Sequence, residues 1–329
     1  MKEKIEKIYN KLGITSIRSK NITIHVLISF LYKGGSIFLN FLLIPLLINY
    51  LDTEKYGIWL TLSSFIAWFA FFDIGLGHGL RNKFAEAKVK NDIKLARGYV
   101  STAYFTIGTV CFGLLIIFIS LNFFIDWTKI FNTNPNLQKE LSILMPIVFG
   151  FFCLQMVVQL ITTIYTADQN HSIQVKVVFY TQLVSLVVIW IMTKTNEGSL
   201  LVFGSVFSII PTILLILFNI LAFKGKYSVF KPSYKYWKKV YLKEIMGLGI
   251  NFFIIQVAAT MLFSTDNFII SQLFSPKDVV PYNLSFKYFS IITMIYTTLI
   301  TPYWSSFTEA YARDDYEWIK KSVSNVQKI

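Results

Sequence analysis

Acidic residues are scarce: 18 Asp and Glu stand against 31 Lys and Arg in 329 residues. Cysteine is scarcer, with only Cys111 and Cys153, each inside an apolar block and without a neighbour at metal-ligand spacing. Both read as small core residues. The three histidines, His25, His78 and His171, are scattered, so no metal site and no Ser or Cys nucleophile arrangement is expected. No G-x-x-x-x-G-K-[ST] segment occurs, which excludes ATP hydrolysis through a phosphate-binding loop. The first residues lack a short apolar run followed by a small-residue cleavage site, so no signal peptide is expected. No polar segment is long enough to fold as a soluble domain. An enzyme is therefore not expected, nor a cofactor.

What the chain has in quantity is apolar surface. Hydrophobic residues make up 54% and the mean hydropathy is +0.55, more than one or two soluble cores can hide. A bilayer core needs about 20 apolar residues per helix. The pattern predicts an all-α polytopic transmembrane bundle with spans over Ile22–Tyr50, Gly57–Gly77, Tyr99–Ile125, Leu141–Ala167, Ile173–Thr193, Leu200–Phe223, Ile245–Phe274 and Pro281–Trp304. With the N-terminus cytoplasmic, 24 of the 31 basic residues fall inside and five outside, as the positive-inside rule requires. The net charge of +13 is thus chiefly topogenic, and no nucleic-acid partner is needed. Residues 1–21 are expected to form a cytoplasmic interfacial segment. The basic stretch Lys224–Lys243 is expected to direct insertion and to touch anionic lipid.

Phe84-Ala85-Glu86-Ala87-Lys88-Val89-Lys90-Asn91-Asp92 recurs in part as Phe307-Thr308-Glu309-Ala310-Tyr311-Ala312-Arg313-Asp314-Asp315. Each copy follows a pair of spans joined by a short outside loop. An even number of spans separates them, which makes the repeat parallel, with its axis along the membrane normal. The expected organisation is the interfacial segment 1–21, a six-helix lobe 22–223, a cytoplasmic linker 224–243 and a second lobe beginning at 244. That second lobe is incomplete, with two helices and the start of a third in 244–329.

Charge inside a span costs about 2.5–3.5 kcal/mol at the bilayer centre, so such residues usually face a cavity or a partner. Lys33 is placed near the midplane and is followed by Gly34 and Gly35, which let a ligand or another backbone approach. That combination suits a cavity for an anion, or equally a buried ion pair. Asp266 and Lys287 lie at matched depths, consistent with a structural salt bridge. Alternatively Asp266, with Asn267 beside it, forms a proton or sodium site. Asp73 is placed to pair with Arg81. The run Gly75-Leu76-Gly77-His78-Gly79 could offer free amides to a phosphate at the cytoplasmic mouth.

The stretch Phe72-Asp73-Ile74-Gly75-Leu76-Gly77-His78-Gly79-Leu80-Arg81-Asn82-Lys83-Phe84-Ala85-Glu86-Ala87, with Tyr56-Gly57-Ile58-Trp59 before it, resembles bacterial O-antigen and exopolysaccharide flippases. These belong to the multidrug/oligosaccharidyl-lipid/polysaccharide exporter superfamily, built from two six-helix lobes around a cavity. The resemblance implies a bacterial inner-membrane antiporter-like carrier of polysaccharide and lipopolysaccharide biosynthesis. Its substrate would be an undecaprenyl-pyrophosphate-linked glycan moved from inner to outer leaflet. A proton or sodium gradient would drive it, alongside polysaccharide polymerase and chain-length proteins. Lys33, Arg81 and Lys287 are carried over as pyrophosphate candidates, with Gly34 and Gly35, and Asp266, Asn267 and Asp73 as cation-coupling candidates. A multidrug exporter of the same fold is the nearest alternative, disfavoured by two lysines and few acids in the spans. A membrane polysaccharide polymerase or ligase is a second.

Overall fold

The computed structural model describes residues 17–326, apart from Ile74, Gln169, His171, Asn196 and 313–315. The side chains of 17–27, 248–252, 297–312 and several single positions also lie outside the description. The interfacial segment expected over 1–21 falls largely outside it, as do the side chains of the second repeat copy at 307–315.

Helices account for all the regular structure described. α1 spans Ile17–Ala67 and runs into a 3-10 turn, Trp68–Asp73. α2 is Leu76–Val89, α3 Ile93–Asn122 and α4 Trp127–Phe131. α5 is Gln138–Val158, α6 Leu160–Ala167, α7 Ile173–Thr195 and α8 Leu200–Lys224. After two 3-10 turns come α9 at Lys239–Ser264, α10 at Asp266–Leu273, α11 at Pro276–Ala312 and α12 at Tyr316–Val326.

Among the described residues six helical stretches are long and apolar enough to cross a membrane, with windows of mean hydropathy from 1.5 to 2.6. The first two expected spans share one of them. They are divided at Asp52, whose φ of 65° and ψ of 170° break α1. The Asp52 carboxylate accepts the Lys55 amide at 3.0 Å, which caps the second segment. That segment stops short of the expected Gly77. The chain passes into the 3-10 turn, and Gly75 adopts φ 70° to start α2 in a new direction. Large apolar side chains stay exposed along the spans, among them Phe38 at 66%, Phe112 at 66% and Leu221 at 68%. In water such surface would drive aggregation; in lipid it is the expected exterior.

The chain forms two compact units, Met1–Val280 and Pro281–Ile329. Within the first, an aromatic cluster fills the space between helices. Phe118 stacks on Phe149 at 4.0 Å, Phe69 meets Phe149 edge-on at 4.8 Å, and fully buried Trp127 stacks against Phe131 at 5.9 Å. Gly57 faces the Pro276 carbonyl and Gly198 the Tyr50 carbonyl, so closely that a Cβ would stand 1.8 and 1.9 Å from those oxygens. Lys55 donates to the Gly198 carbonyl at 3.0 Å and Lys277 pairs with Glu54 at 3.6 Å. These contacts tie together one end of the bundle.

The other end is fastened differently. The Asp168 carboxylate, after α6, accepts from Lys88 of α2, from Lys226 at 2.5 Å and from the buried Tyr227 hydroxyl at 2.8 Å. Burial and the nearby Lys226 charge push the Lys88 ammonium below its ordinary value. Phe84 of α2 packs edge-on against Phe230 at 5.1 Å. The segment 224–243 crosses here, so this end is called the linker side. α5 gives way to α6 at Gln159, and Asn219 of α8 donates to the Val158 carbonyl at 2.6 Å beside that break. Asn219 also accepts the Tyr104 hydroxyl at 2.7 Å. Such side-chain support is what a broken helix in lipid needs.

Candidate functional site

Lys33 sits on α1 beside α7. The two helices run parallel, since Gly35 meets Phe179 near the start of α7 and Tyr50 meets Gly198 just past its end. Tyr32 packs on Phe179 at 5.2 Å and shares a 3.4 Å hydroxyl contact with Tyr180. At the helical rise those residues lie about 10 Å above the start of α7, a helix about 34 Å long. Lys33 is therefore in the linker-side half of the bundle, below the midplane position expected from the sequence.

The glycine pair also divides. A Cβ on Gly35 would stand 2.7 Å from the Phe179 ring, so this glycine serves helix packing. Gly34 has nothing within 4 Å of a built Cβ and is exposed. At about 100° per residue, Lys33 and Gly35 point to nearly opposite sides of α1. Space for a ligand at Lys33 is thus offered by Gly34 alone. Lys176 of α7, counted from sequence as a topogenic charge, places its ammonium 5.7 Å from the Tyr32 ring centre.

α2 carries the second group. Asp73 does not pair with Arg81: both its carboxylate oxygens accept the Gly77 amide, at 3.2 and 3.3 Å. A carboxylate favours a helix N-terminus through the exposed amides and the dipole there. One amide that a phosphate would use is therefore already taken. Gly79 is needed for packing, since its Cβ would stand 2.1 Å from the Ile245 carbonyl of α9. Arg81 and Asn82 lie on the exposed face of α2. A shallow groove of about 540 Å³ beside them is lined by Asn82, Ala85, Glu86, Val89 and Lys90.

The third group surrounds the gap between α9 and α10. The seventh expected span is interrupted at Thr265, leaving Asp266 in the first turn of α10. Asn267 donates to the Ser64 hydroxyl of α1 at 2.9 Å, and Phe268 packs on Trp68 at 5.4 Å. The Trp68 indole N–H is buried without an acceptor. A buried donor left unmade costs about 1–3 kcal/mol, so its position next to a helix break marks a site with unused hydrogen-bonding capacity. Lys287 lies on α11 in the second unit, half-buried, with the Ser290 hydroxyl donating to its carbonyl at 2.8 Å.

Sequence spacing missed the Asp168 cluster, whose members are 59 and 80 residues apart. It also missed that the Cys111 thiol faces Cys153 and lies 4.0 Å from the Met156 sulfur. Neither arrangement has a local signature. Among the described residues no group of three His, Cys, Asp or Glu side chains could hold a metal ion.

The described residues thus form a bundle of apolar helices, two of them broken and propped by polar side chains. A solved inward-facing structure of a multidrug resistance MATE family transporter of the MOP superfamily aligns with it at a TM-score of 0.67. The two are 12% identical, and the match covers 88% of this chain and 64% of that one. Residues 20–308 match the family described as Polysaccharide biosynthesis protein, and the chain belongs to that family. It is 23% identical over 282 residues to a Yersinia pseudotuberculosis protein whose name assigns it to O-antigen export, covering 84% of this chain and 63% of the relative. A Salmonella typhimurium protein named as an O-antigen transporter is 24% identical over 294 residues, covering 85% and 64%. The chain thus spans just under two thirds of the length of these relatives.

Proposed function

We propose that this chain takes part in moving a lipid-linked polysaccharide unit across the bacterial inner membrane, from the inner to the outer leaflet. The observation that carries this is sequence similarity along 84% of the chain to a protein named for O-antigen export. In this reading the linker side faces the cytoplasm, and the chain supplies a first lobe from 22 to 223 and the beginning of a second from 244. The substrate is a glycan on undecaprenyl pyrophosphate. Lys33, Arg81 and Lys287 meet its phosphates, Gly34 leaves room beside Lys33, and Asp266 with Asn267 binds the coupling proton or sodium ion. Asp73 caps α2 through the Gly77 amide and is a further candidate for the coupling ion. The work is transport, with chemistry left to the polymerase and chain-length proteins that act on the product.

The half-exposed placement of Lys33 and the exposed face bearing Arg81 support the phosphate roles, because both cations remain reachable. Export of cationic drugs is the second reading, favoured by the MATE-family fold. In a strain lacking the gene but retaining early glycan synthesis, glycosidase protection in spheroplasts measures the lipid-linked unit on each membrane face. Accumulation on the inner face, relieved by the wild-type gene and not by Lys33→Ala with Arg81→Ala, is expected. Normal appearance on the outer face would end the flippase reading and bring drug export forward.

A further inference from the structure

The linker 224–243 is not a free tether. Its backbone amides at Ser233 and Lys238 donate to the Ser101 and Thr102 hydroxyls of α3, at 3.1 and 3.2 Å. The Trp237 indole donates to the Thr106 hydroxyl at 3.2 Å, and Tyr234 packs edge-on against Phe105 at 5.6 Å. Arg97 donates to the Lys231 carbonyl at 2.9 Å and lies 4.4 Å over the Tyr236 ring. Ser101 and Thr102 are fully buried by this docking. Phe105 and Thr106 belong to the membrane-crossing stretch Ile93–Asn122. The linker therefore lies along the first half of a helix long and apolar enough to cross a membrane.

Its two faces differ. Tyr227 and Phe230 turn inward and are buried. Lys224, Lys226, Lys231, Lys235, Lys238, Lys239 and Lys243 are all exposed, and no Asp or Glu occurs between 224 and 243. Tyr234 at 73% and Val240 at 63% stand exposed among them. Exposed lysines around an exposed tyrosine and an aliphatic side chain, docked on the flank of an apolar helix, match the chemistry of an anionic bilayer surface.

We propose that the folded linker is a binding shelf for anionic membrane lipid, in which Lys231, Lys235 and Lys239 hold headgroup phosphates while Tyr234 and Val240 enter the interface. This does not depend on what the protein exports. The test uses the full chain in liposomes of phosphatidylcholine with spin-labelled phosphatidylglycerol or spin-labelled phosphatidylcholine, read by electron paramagnetic resonance. The wild type is expected to prefer the anionic probe, and K231Q/K235Q/K239Q to lose about tenfold of that preference. The control K129Q/K139Q/K194Q, at the opposite end, should keep it, and Lys-to-Arg replacement at the three shelf positions should restore it. Full preference in the shelf variant, or equal loss in the control, overturns the proposal. Competition by free glycerophosphoglycerol would overturn it too, pointing to a soluble phosphate ligand. Matched circular dichroism for all variants keeps unfolding from imitating either result.

Discussion

Two regions of the first unit treat polar groups in opposite ways. At the linker-side end one carboxylate, Asp168, serves two lysines and a tyrosine, and the α3 hydroxyls hold the linker backbone. At the break between α9 and α10 the arrangement is sparse. Asn267 reaches Ser64, but the Trp68 indole beside it donates to nothing. A fully paired network rigidifies, whereas an incomplete one keeps hydrogen-bonding capacity unused. The Asp168 cluster is a fastening, and the α9–α10 break keeps an unused donor.

The largest effect that would break the contrast is expected at Gly79. Gly79→Val forces a side chain into the Ile245 carbonyl, and about 3 kcal/mol should be lost, read as unfolding by increasing SDS fraction in detergent. Asp168→Ala strands the Tyr227 hydroxyl and two lysines that are partly exposed. A loss of about 2 kcal/mol is expected by the same assay. A loss near zero would mean that the cluster is solvated and not a fastening. Asp92 caps α3 by accepting the Leu95 amide at 2.9 Å; Asp92→Ala should cost about 1 kcal/mol. The smallest stability change sharpens the comparison most. Trp68→Phe removes an unmade hydrogen bond, so stability should hold within about 0.5 kcal/mol, while inner-face glycan accumulates in the spheroplast assay. Unchanged export would place Trp68 with the packing residues.

The span pattern was legible because lipid imposes it: twenty apolar residues announce a helix wherever they pack. The ends were less so. Nothing local marks Asp52 as the residue that takes positive φ, or shows that Gly75 begins a new helix before the apolar run is over. Lys33 could be singled out as a charge in a span, but its depth depended on the level of α7 beside which it packs. The role of Gly35 depended on Phe179, 144 residues away. Asp73 illustrates the same limit from the other side. Charge complementarity suggested Arg81, but the nearer Gly77 amide takes the carboxylate, because a helix N-terminus four residues on is a closer electropositive group. Long-range contacts between ordinary polar residues, such as Asp168 with Tyr227, leave no periodic trace to find.

The docking of the linker on α3 has a mechanical consequence. A slack connection would let α9 swing without disturbing what precedes it. Here the amide of Lys238, immediately before α9, is bonded to Thr102, and Tyr99 of α3 bonds Glu244 one turn into α9. The joint behaves as a bracket, not a rope. A pull on the start of α9 is borne at once by the foot of α3, so bending must be taken up farther along α9, beyond Glu244.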